Sequence, residues 1–327
     1  MKIDLPESLT TAHLVDDFQK QDPPRPHMGA SVLGHECERW LWLSFRWAVV
    51  ERFDGRILRL FRRGQMEEYT VIADLRQALI EVTECLDEQK QIDFGCHVKG
   101  SPDGVVYGIP ESPKKEHLLE IKTHSKKSFD EVSTQGVQKA KPMHYTQMQV
   151  GMLGRRLQRA LYYAVCKDDD RIYTERVYFE KEYAERMIER AKRITLEERL
   201  PAPITDDPTW YKCRFCAAHD FCFGDKKPLV NCRTCAHATP TSDGTWHCAR
   251  WDAVLPVDGQ RQGCRSHVLH PDLTKGVFRE HDRWSCYYDG VLVGEAGIST
   301  LEYLYGEAGL TAEIFNGEVV SPEGVRL

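Results

Sequence analysis

Apolar positions along this chain recur first at helical spacing, then in short β-rich runs, then at helical spacing again, an order that predicts an α/β arrangement. A helical pattern begins near Ser31 and carries Cys37, Arg39, Trp40, Leu41, Leu43 and Trp47. From Ile57 to about Ile80, Leu58, Phe61, Tyr69, Ile72 and Leu75 form an apolar stripe, as expected of a helix with one buried face. Strand-like runs follow at 81–85, 92–98, 104–108 and 117–123. The first three are joined by turn-like or glycine-containing segments, which predicts an antiparallel meander leading into the fourth strand. Helices are expected over 125–138 and around 144–152. A β-hairpin over 159–166 and 171–179 then turns at Lys167-Asp168-Asp169-Asp170, and an amphipathic helix over 180–200 ends at Pro201 and Pro203. Residues 1 to about 27 close on Asp22-Pro23-Pro24-Arg25-Pro26, which cannot continue a helix, and read as an extended arm or linker. Beyond Pro271, strand candidates at 284–288 and 291–294 precede a helix candidate at 300–309. Tyr287, Tyr288, Tyr303 and Tyr305 there are packing residues or a recognition surface.

Composition narrows the class without choosing a function. With 327 residues, 41% hydrophobic and 29% charged, the chain reads as a soluble globular protein of one large domain with appendages or a few small ones. It has no apolar run long enough to span a membrane, and its N-terminus, MKIDLPESLT, lacks the apolar core of a signal peptide, so a cytoplasmic location is expected. A formal net charge of -6 argues against coating nucleic acid by bulk charge. It leaves room for a local basic groove, to which Lys114, Lys115, Lys126, Lys127, Lys139 and Lys141 are candidates.

Twelve cysteines change the picture more, because clustered cysteines in a reducing compartment favour metal ligation over disulfides. Cys213, Cys216 and Cys222 form a Cys-x2-Cys-x5-Cys array that needs a fourth ligand. Cys37, alone upstream, is the natural donor; the alternatives are a tetrahedral zinc or a local site completed by His219. A second array, Cys232, Cys235, Cys248 and Cys264, with His247 and His267 as spare ligands, fits a small zinc-stabilised module. Such a module docks DNA or a partner, or simply holds a short segment together. Cys85 and Cys96 have no partner spacing and are assigned to the core.

The candidate chemistry lies between these arrays. Gly100-Ser101-Pro102-Asp103-Gly104 places an acid in a glycine-bounded turn, and Leu118-Leu119-Glu120-Ile121-Lys122-Thr123 places an acid and a lysine two apart on a strand. Side chains alternate along a strand, so Glu120 and Lys122 share a face while Leu119 and Ile121 point into the core. Asp103 and Glu120, helped by the Ile121 carbonyl, offer the oxygen ligands that Mg2+ or Mn2+ takes. Lys122 then stabilises developing charge or helps deprotonate the attacking water, as phosphodiester hydrolysis demands. The plain alternative is a surface turn and a strand with a solvated Glu/Lys pair.

Pro102, Asp103, Glu120 and Lys122 together resemble the PD-(D/E)xK nuclease superfamily. Arg62-Arg63-Gly64-Gln65-Met66-Glu67-Glu68 resembles the G-xxx-E element that many of its members, including lambda-exonuclease-like and YqaJ-like enzymes, place on the helix before the core sheet. Glu68 falls at the matching position, with Glu67 its nearest competitor. The segment 144–152 resembles the Gln-bearing motif of the same enzymes; Gln147 and Gln149 are both candidates, because residues two apart cannot share a helix face. One cysteine before the nuclease motifs and three just after them resemble the iron-sulfur staple of CRISPR-associated and RecB-like members, in which a 4Fe-4S cluster ties the ends of the nuclease domain together.

This resemblance implies a restriction-endonuclease-like α/β core, a mixed sheet flanked by helices, to which the zinc-binding module and a C-terminal α+β appendage are added. The expected division is an arm over 1–27, the nuclease domain with its staple over 28–228, the zinc module over 229–270 and the appendage over 271–327. It also implies a Mg2+- or Mn2+-dependent DNA exonuclease of phage or prophage type, with metal on Asp103, Glu120, Ile121 and Glu68. Such an enzyme works on DNA ends or single strands in recombination, repair or phage DNA processing, beside a recombination or single-strand-annealing protein and away from membranes. The rivals are a nuclease-fold protein that binds DNA or a partner without cutting, and a redox or zinc-binding regulatory protein.

Overall fold

The structure is a computed structural model and describes residues 10–264, 266–273, 277–280, 283–288 and 291–296. The arm is not wholly extended: helix α1 (Thr11–Asp17) opens on a reciprocal cap, the Thr10 hydroxyl accepting from the His13 N–H while the His13 ring accepts from the Thr10 N–H. The proline run begins only at residue 23, so it ends the arm's structure without preventing this helix. Strand β1 (Met28–Gly29) and one turn of 3-10 helix at Ala30–Val32 follow. Helix α2 (Glu38–Phe45) therefore starts later than its apolar pattern suggests. The Cys37 thiol caps it, accepting from the Trp40 N–H at 3.4 Å. Gly34 lets this segment approach the interior, since a Cβ there would lie 2.8 Å from the Met143 Cα. Helix α3 (Gly55–Gln77) is capped by Asp54 and buries Val71, Ile72 and Leu75 near its C-terminal end.

Seven strands and the helices between them build the core. In chain order these are β2 (Glu81–Thr83), β3 (Ile92–Asp93), β4 (Val98–Gly100), β5 (Gly104–Tyr107), β6 (His117–His124), helices α4 (Lys126–Gln135), α5 (Val137–Ala140) and α6 (Pro142–Arg155), then β7 (Arg159–Cys166) and β8 (Ile172–Tyr178). The main sheet has the order β2-β5-β6-β7-β8; β6 and β7 run parallel and the other pairs antiparallel. Parallel neighbours require a crossover, which α4, α5 and α6 supply. The expected meander is corrected at 92–100: this run breaks at a tight turn with positive φ at Gly95, Cys96 and His97 and pairs with β1 in a small sheet of order β1-β4-β3. Cys96 accordingly stands in a turn, half-buried, while Cys85 is in the core.

Both faces of the main sheet are covered. Leu119, Ile121, Leu161, Tyr163 and Val165 pack on Val71, Ile72 and Leu75 of α3. Leu118, Ala160, Tyr162 and Ala164 pack on Phe129, Val132, Tyr145, Met148 and Met152 from the crossover. Glu120 and Lys122 thus point toward the second layer and not to a solvated face.

Helix α7 (Lys181–Leu196) buries Ala184, Ile188, Ala191 and Ile194, the side its periodicity marks as apolar. The segment after it contains α8 (Tyr211–Arg214), α9 (His219–Phe223), the three-stranded sheet β9 (Ala238–Pro240), β10 (Trp246–Cys248) and β11 (Ala253–Val254), and α10 (Val257–Gln262). Residues expected as a separate module share one core with the N-terminal helices: Cys235, Ala238, Trp246 and Leu269 pack with Leu41, Trp42, Phe45 and Ile188. The buried Arg233 fastens them, donating to the carbonyls of Phe45 and Pro26 and to Gln260, each at 2.8 Å, with its guanidinium 3.7 Å above the Trp47 ring. So short a segment has little core of its own and gains one by docking.

Strands β13 (Arg283–Tyr288) and β14 (Val291–Ala296) lie where strands are expected after Pro271, and the unexpected β12 (Val277–Glu280) pairs with β13 to complete an antiparallel meander. The helix candidate at 300–309, with Tyr303 and Tyr305, lies outside the described residues. Among the described residues no helix is long and apolar enough to cross a membrane.

Candidate active site

Three elements bring the predicted acids and lysine together. Asp103 sits just before β5, and its Oδ2 accepts the Ile121 N–H of β6 at 2.7 Å, which locks the Pro102-Asp103 turn to the middle of the neighbouring strand. Glu120, on one side of Ile121, is fully buried. Lys122, on the other side, brings its ammonium against Glu120 Oε1. From α3, Glu68 reaches the same neighbourhood: it feels the charges of Asp103 and Lys122, whereas Glu67 acts on Tyr163. Of the two glutamates, Glu68 is the one whose charge couples to Asp103 and Lys122.

The electrostatics of this group are unbalanced. Burial, with Asp103 and Glu68 adding to it and Lys122 opposing, pushes Glu120 up to about 8. Burial and the Asp103 charge push Glu68 up to about 7 against the pull of Lys122. Asp103 is raised by burial, against Lys122 and the Ile121 N–H. Burial would lower Lys122, but the surrounding carboxylates outweigh it and hold the ammonium above its ordinary value. Both oxygens of Glu120 are buried without a hydrogen-bonding partner, the ion contact with Lys122 aside. A divalent cation would relieve this crowding, so the donor set fits a hard metal such as Mg2+ or Mn2+. Among the described residues no three His, Cys, Asp or Glu side chains form a ready-made metal-binding group, the carboxylates and both cysteine arrays included.

The two glutamines part company. Gln149 is fully buried and structural: its amide donates to the Tyr178 carbonyl at 2.7 Å and its oxygen accepts the Glu180 N–H at 2.8 Å, tying α6 to the start of α7. Gln147 is half-buried and lies one turn after His144, a residue that feels the Lys122 charge, so the two share a helix face. Of the flanking lysines, Lys141 acts together with Lys122 on His124 at the end of β6, whereas Lys114 and Lys115 precede the opposite end of that strand.

Cys37, Cys213, Cys216 and Cys222 lie around one cavity. Burial raises the three downstream thiols, and each is raised further by the charge of Cys37. All four line one cavity of about 480 Å³ between the segment before α2 and the segment carrying α8 and α9. His219, the alternative ligand, also lines it but stands 3.2 Å from the Pro208 carbonyl through its Nε2. In the second array Cys232 feels Cys264 and Cys248, and Cys235 feels Cys232 and Cys248, with burial pushing Cys235 up to about 11. Its spare histidines have other neighbours, His247 beside Asp252 at 3.2 Å and His267 beside Thr234 at 3.3 Å.

Three residues near the site went unassigned at the sequence level: His124, Tyr162 and His144. The alternation that groups Glu120 with Lys122 extends to His124, and His144 precedes Gln147 by one helical turn, so two of them carried a readable signal. Tyr162 had none, because only strand pairing puts it opposite Glu120.

No protein-family model matches the chain, and no curated protein matches it. Among solved structures it is similar to LHK-Exo, an alkaline exonuclease from Laribacter hongkongensis, at 18% identity and a TM-score of 0.36 over 52% of this chain and 87% of that one. LHK-Exo in complex with dAMP matches with 18% identity and a TM-score of 0.38, over 52% and 86% of the two chains. The protein SSO0001 matches with 16% identity and a TM-score of 0.38, over 62% of this chain and 88% of its own.

Proposed function

We propose that this chain is a metal-dependent deoxyribonuclease of the exonuclease type. The observation that carries the reading is Glu120: a fully buried carboxylate whose one donor is the Lys122 ammonium, set beside Asp103 and Glu68. A fold keeps such a group where its charge is used. Asp103, Glu120 and Glu68, with the Ile121 carbonyl, would hold Mg2+ or Mn2+, which when bound polarises a phosphoryl oxygen and acidifies water. Lys122, kept cationic by the carboxylates around it, is placed to stabilise charge developing on the phosphate rather than to accept a proton. Gln147 is the better candidate of the two glutamines to orient water or phosphate, because the polar groups of Gln149 are already engaged.

Cys37, Cys213, Cys216 and Cys222 would hold a 4Fe-4S cluster that ties the start of α2 to the segment after α7, and Cys232, Cys235, Cys248 and Cys264 a structural zinc. The substrate would be DNA ends or single strands, in recombination, repair or phage DNA processing in the cytoplasm, with a recombination or annealing protein as partner. The deciding experiment is digestion of DNA labelled at each end with Mg2+ or Mn2+, beside a chelated control. Cation-dependent release of label supports the reading; intact DNA under every ionic condition and in every strand form would remove it.

A linked outcome concerns stability. Glu68 at about 7 and Glu120 at about 8 both sit above their ordinary value of 4.5, so the folded protein holds protons that the unfolded chain has released. Metal-free stability should therefore fall as pH rises from about 4.5 to about 8. A divalent cation binds the ionised carboxylates, so the rise in Tm that Mg2+ gives should be larger at about pH 8.5 than at about pH 6. Scanning fluorimetry measures it, and an equal rise at both pH values would place the cation elsewhere.

A further inference from the structure

Beside the carboxylates, four polar side chains form a continuous hydrogen-bonded chain inside the layer between the main sheet and the crossover helices. His124 follows Lys122 by two residues and shares its face of β6. Its Nδ1 lies 2.9 Å from the Ser128 hydroxyl and its Nε2 2.8 Å from the Tyr162 hydroxyl. The same hydroxyl lies 2.9 Å from Nδ1 of His144. Tyr162 is fully buried and pairs in register with Glu120 on the adjacent parallel strand, so the chain runs directly beside the candidate metal ligands. A phenylalanine would fill this part of the layer equally well; two imidazoles and a hydroxyl are costly there unless every polar atom has a use.

The chain can run in either of two directions. A tyrosine hydroxyl has one proton and cannot donate to both rings. When Tyr162 donates to His144 Nδ1, it accepts from His124 Nε2–H, Ser128 donates to His124 Nδ1, and the remaining proton of the His144 ring sits on Nε2. Burial, reinforced by Lys122 and the neighbouring lysines, keeps both rings neutral, with His124 near 4 and His144 near 3. In this direction His144 offers an uncharged N–H donor at Nε2; in the reverse direction Nε2 is a bare acceptor. His144 is the third residue of the 14-residue helix α6, whose N-terminus favours an anion. With Lys141 it lines the cavity that Cys37, Cys213, Cys216 and Cys222 also line, while the Tyr162 hydroxyl ties its Nδ1 to the strand beside Glu120.

We propose that His144, oriented by Tyr162 and through it by His124 and Ser128, donates its Nε2–H to a non-bridging oxygen of a DNA backbone phosphate bound at the Asp103–Glu120–Lys122 site. The inference rests on the nuclease reading and adds to it a phosphate-binding subsite on α6. His144 is the residue that touches substrate; Tyr162 and His124 are positioning residues.

The test compares wild type, His144→Ala, His144→Gln and Tyr162→Phe in Mg2+-dependent digestion of end-labelled DNA from about pH 6 to 9, with kcat and KM separated. His144→Ala should lose about 10- to 100-fold in kcat/KM, the range for a hydrogen bond to a charged group. His144→Gln, whose amide also donates, should recover part of that loss, and Tyr162→Phe should fall between wild type and His144→Ala. The shape of the pH profile should be the same in all four, because a neutral donor does not titrate in this range. Glutamine is close to histidine in size, so it keeps the test decisive if the alanine variant fails to fold. A wild type that cuts no DNA fails the nuclease reading before any variant is measured. A cutting wild type matched within about twofold by both His144 variants overturns the subsite alone. Loss of one limb of the pH profile in His144→Ala also overturns it, by making the ring a base.

Discussion

Asp103→Asn and Lys122→Ala are each expected to lower Mg2+-dependent cleavage of end-labelled DNA by at least about a hundredfold, the scale on which single electrostatic contributors to a transition state are lost. The two substitutions act differently. Asparagine in place of Asp103 can still accept the Ile121 N–H, so the turn stays locked to β6 while one carboxylate leaves a crowded buried group. Metal-free Asp103→Asn should therefore unfold at the same temperature as wild type or higher, and its Tm should gain less from Mg2+. Lys122→Ala removes the counter-charge of Glu120, so the glutamate should hold its proton to still higher pH and bind a cation more weakly at neutral pH. Cleavage by both variants at the wild-type rate would remove these residues from the chemistry.

The second large effect is expected at Cys37. The thiol does two jobs: it caps α2 through the Trp40 N–H and faces Cys213, Cys216 and Cys222 across their cavity. Cys37→Ala loses both, whereas in Cys37→Ser the hydroxyl restores the cap. Loss of a cap alone costs about 1 kcal/mol, or roughly 3 °C in a domain of this size. If the four thiols hold a cluster, anaerobically purified wild type should be brown and contain iron and sulfide. Both variants should then be colourless and fall in Tm by much more than the cap accounts for. Zinc in place of iron in the wild type would change the identity of the group but not its ligands. A serine variant that stays brown, or that unfolds with wild type, would take Cys37 out of the ligand set.

The parts of the site written in local periodicity were legible in the chain. Alternation along a strand groups Glu120 with Lys122 wherever that strand is placed, and a glycine-bounded acid reads as a turn without any neighbour. Elements whose partners are distant in sequence were less legible. The run at 92–98 reads as a strand of the meander, yet its Asp-Phe-Gly turn sends it to a small sheet with β1. Thr10 and His13 cap a helix inside an arm that its proline run makes look extended. Gln147 and Gln149 are equivalent as letters, and only the packing of α6 against β8 and α7 engages one of them.

Sequence by itself determined the order of elements from β5 to α7, the turn and strand that carry Asp103, Glu120 and Lys122, and the supply of cysteines. These depend on spacing of a few residues, where backbone geometry leaves little freedom. Tertiary structure decided that the Glu/Lys face of β6 lies inside the protein, because coverage of that face depends on a crossover of three helices. It decided that Glu68 and not Glu67 faces the acids, that Cys37 meets thiols about 180 residues away, and that Tyr162 links His124 to His144. Each of these is a contact between segments remote in the chain. Burial at those contacts raises the carboxyls of Glu120 and Glu68 and leaves Glu120 with the Lys122 ammonium as its partner.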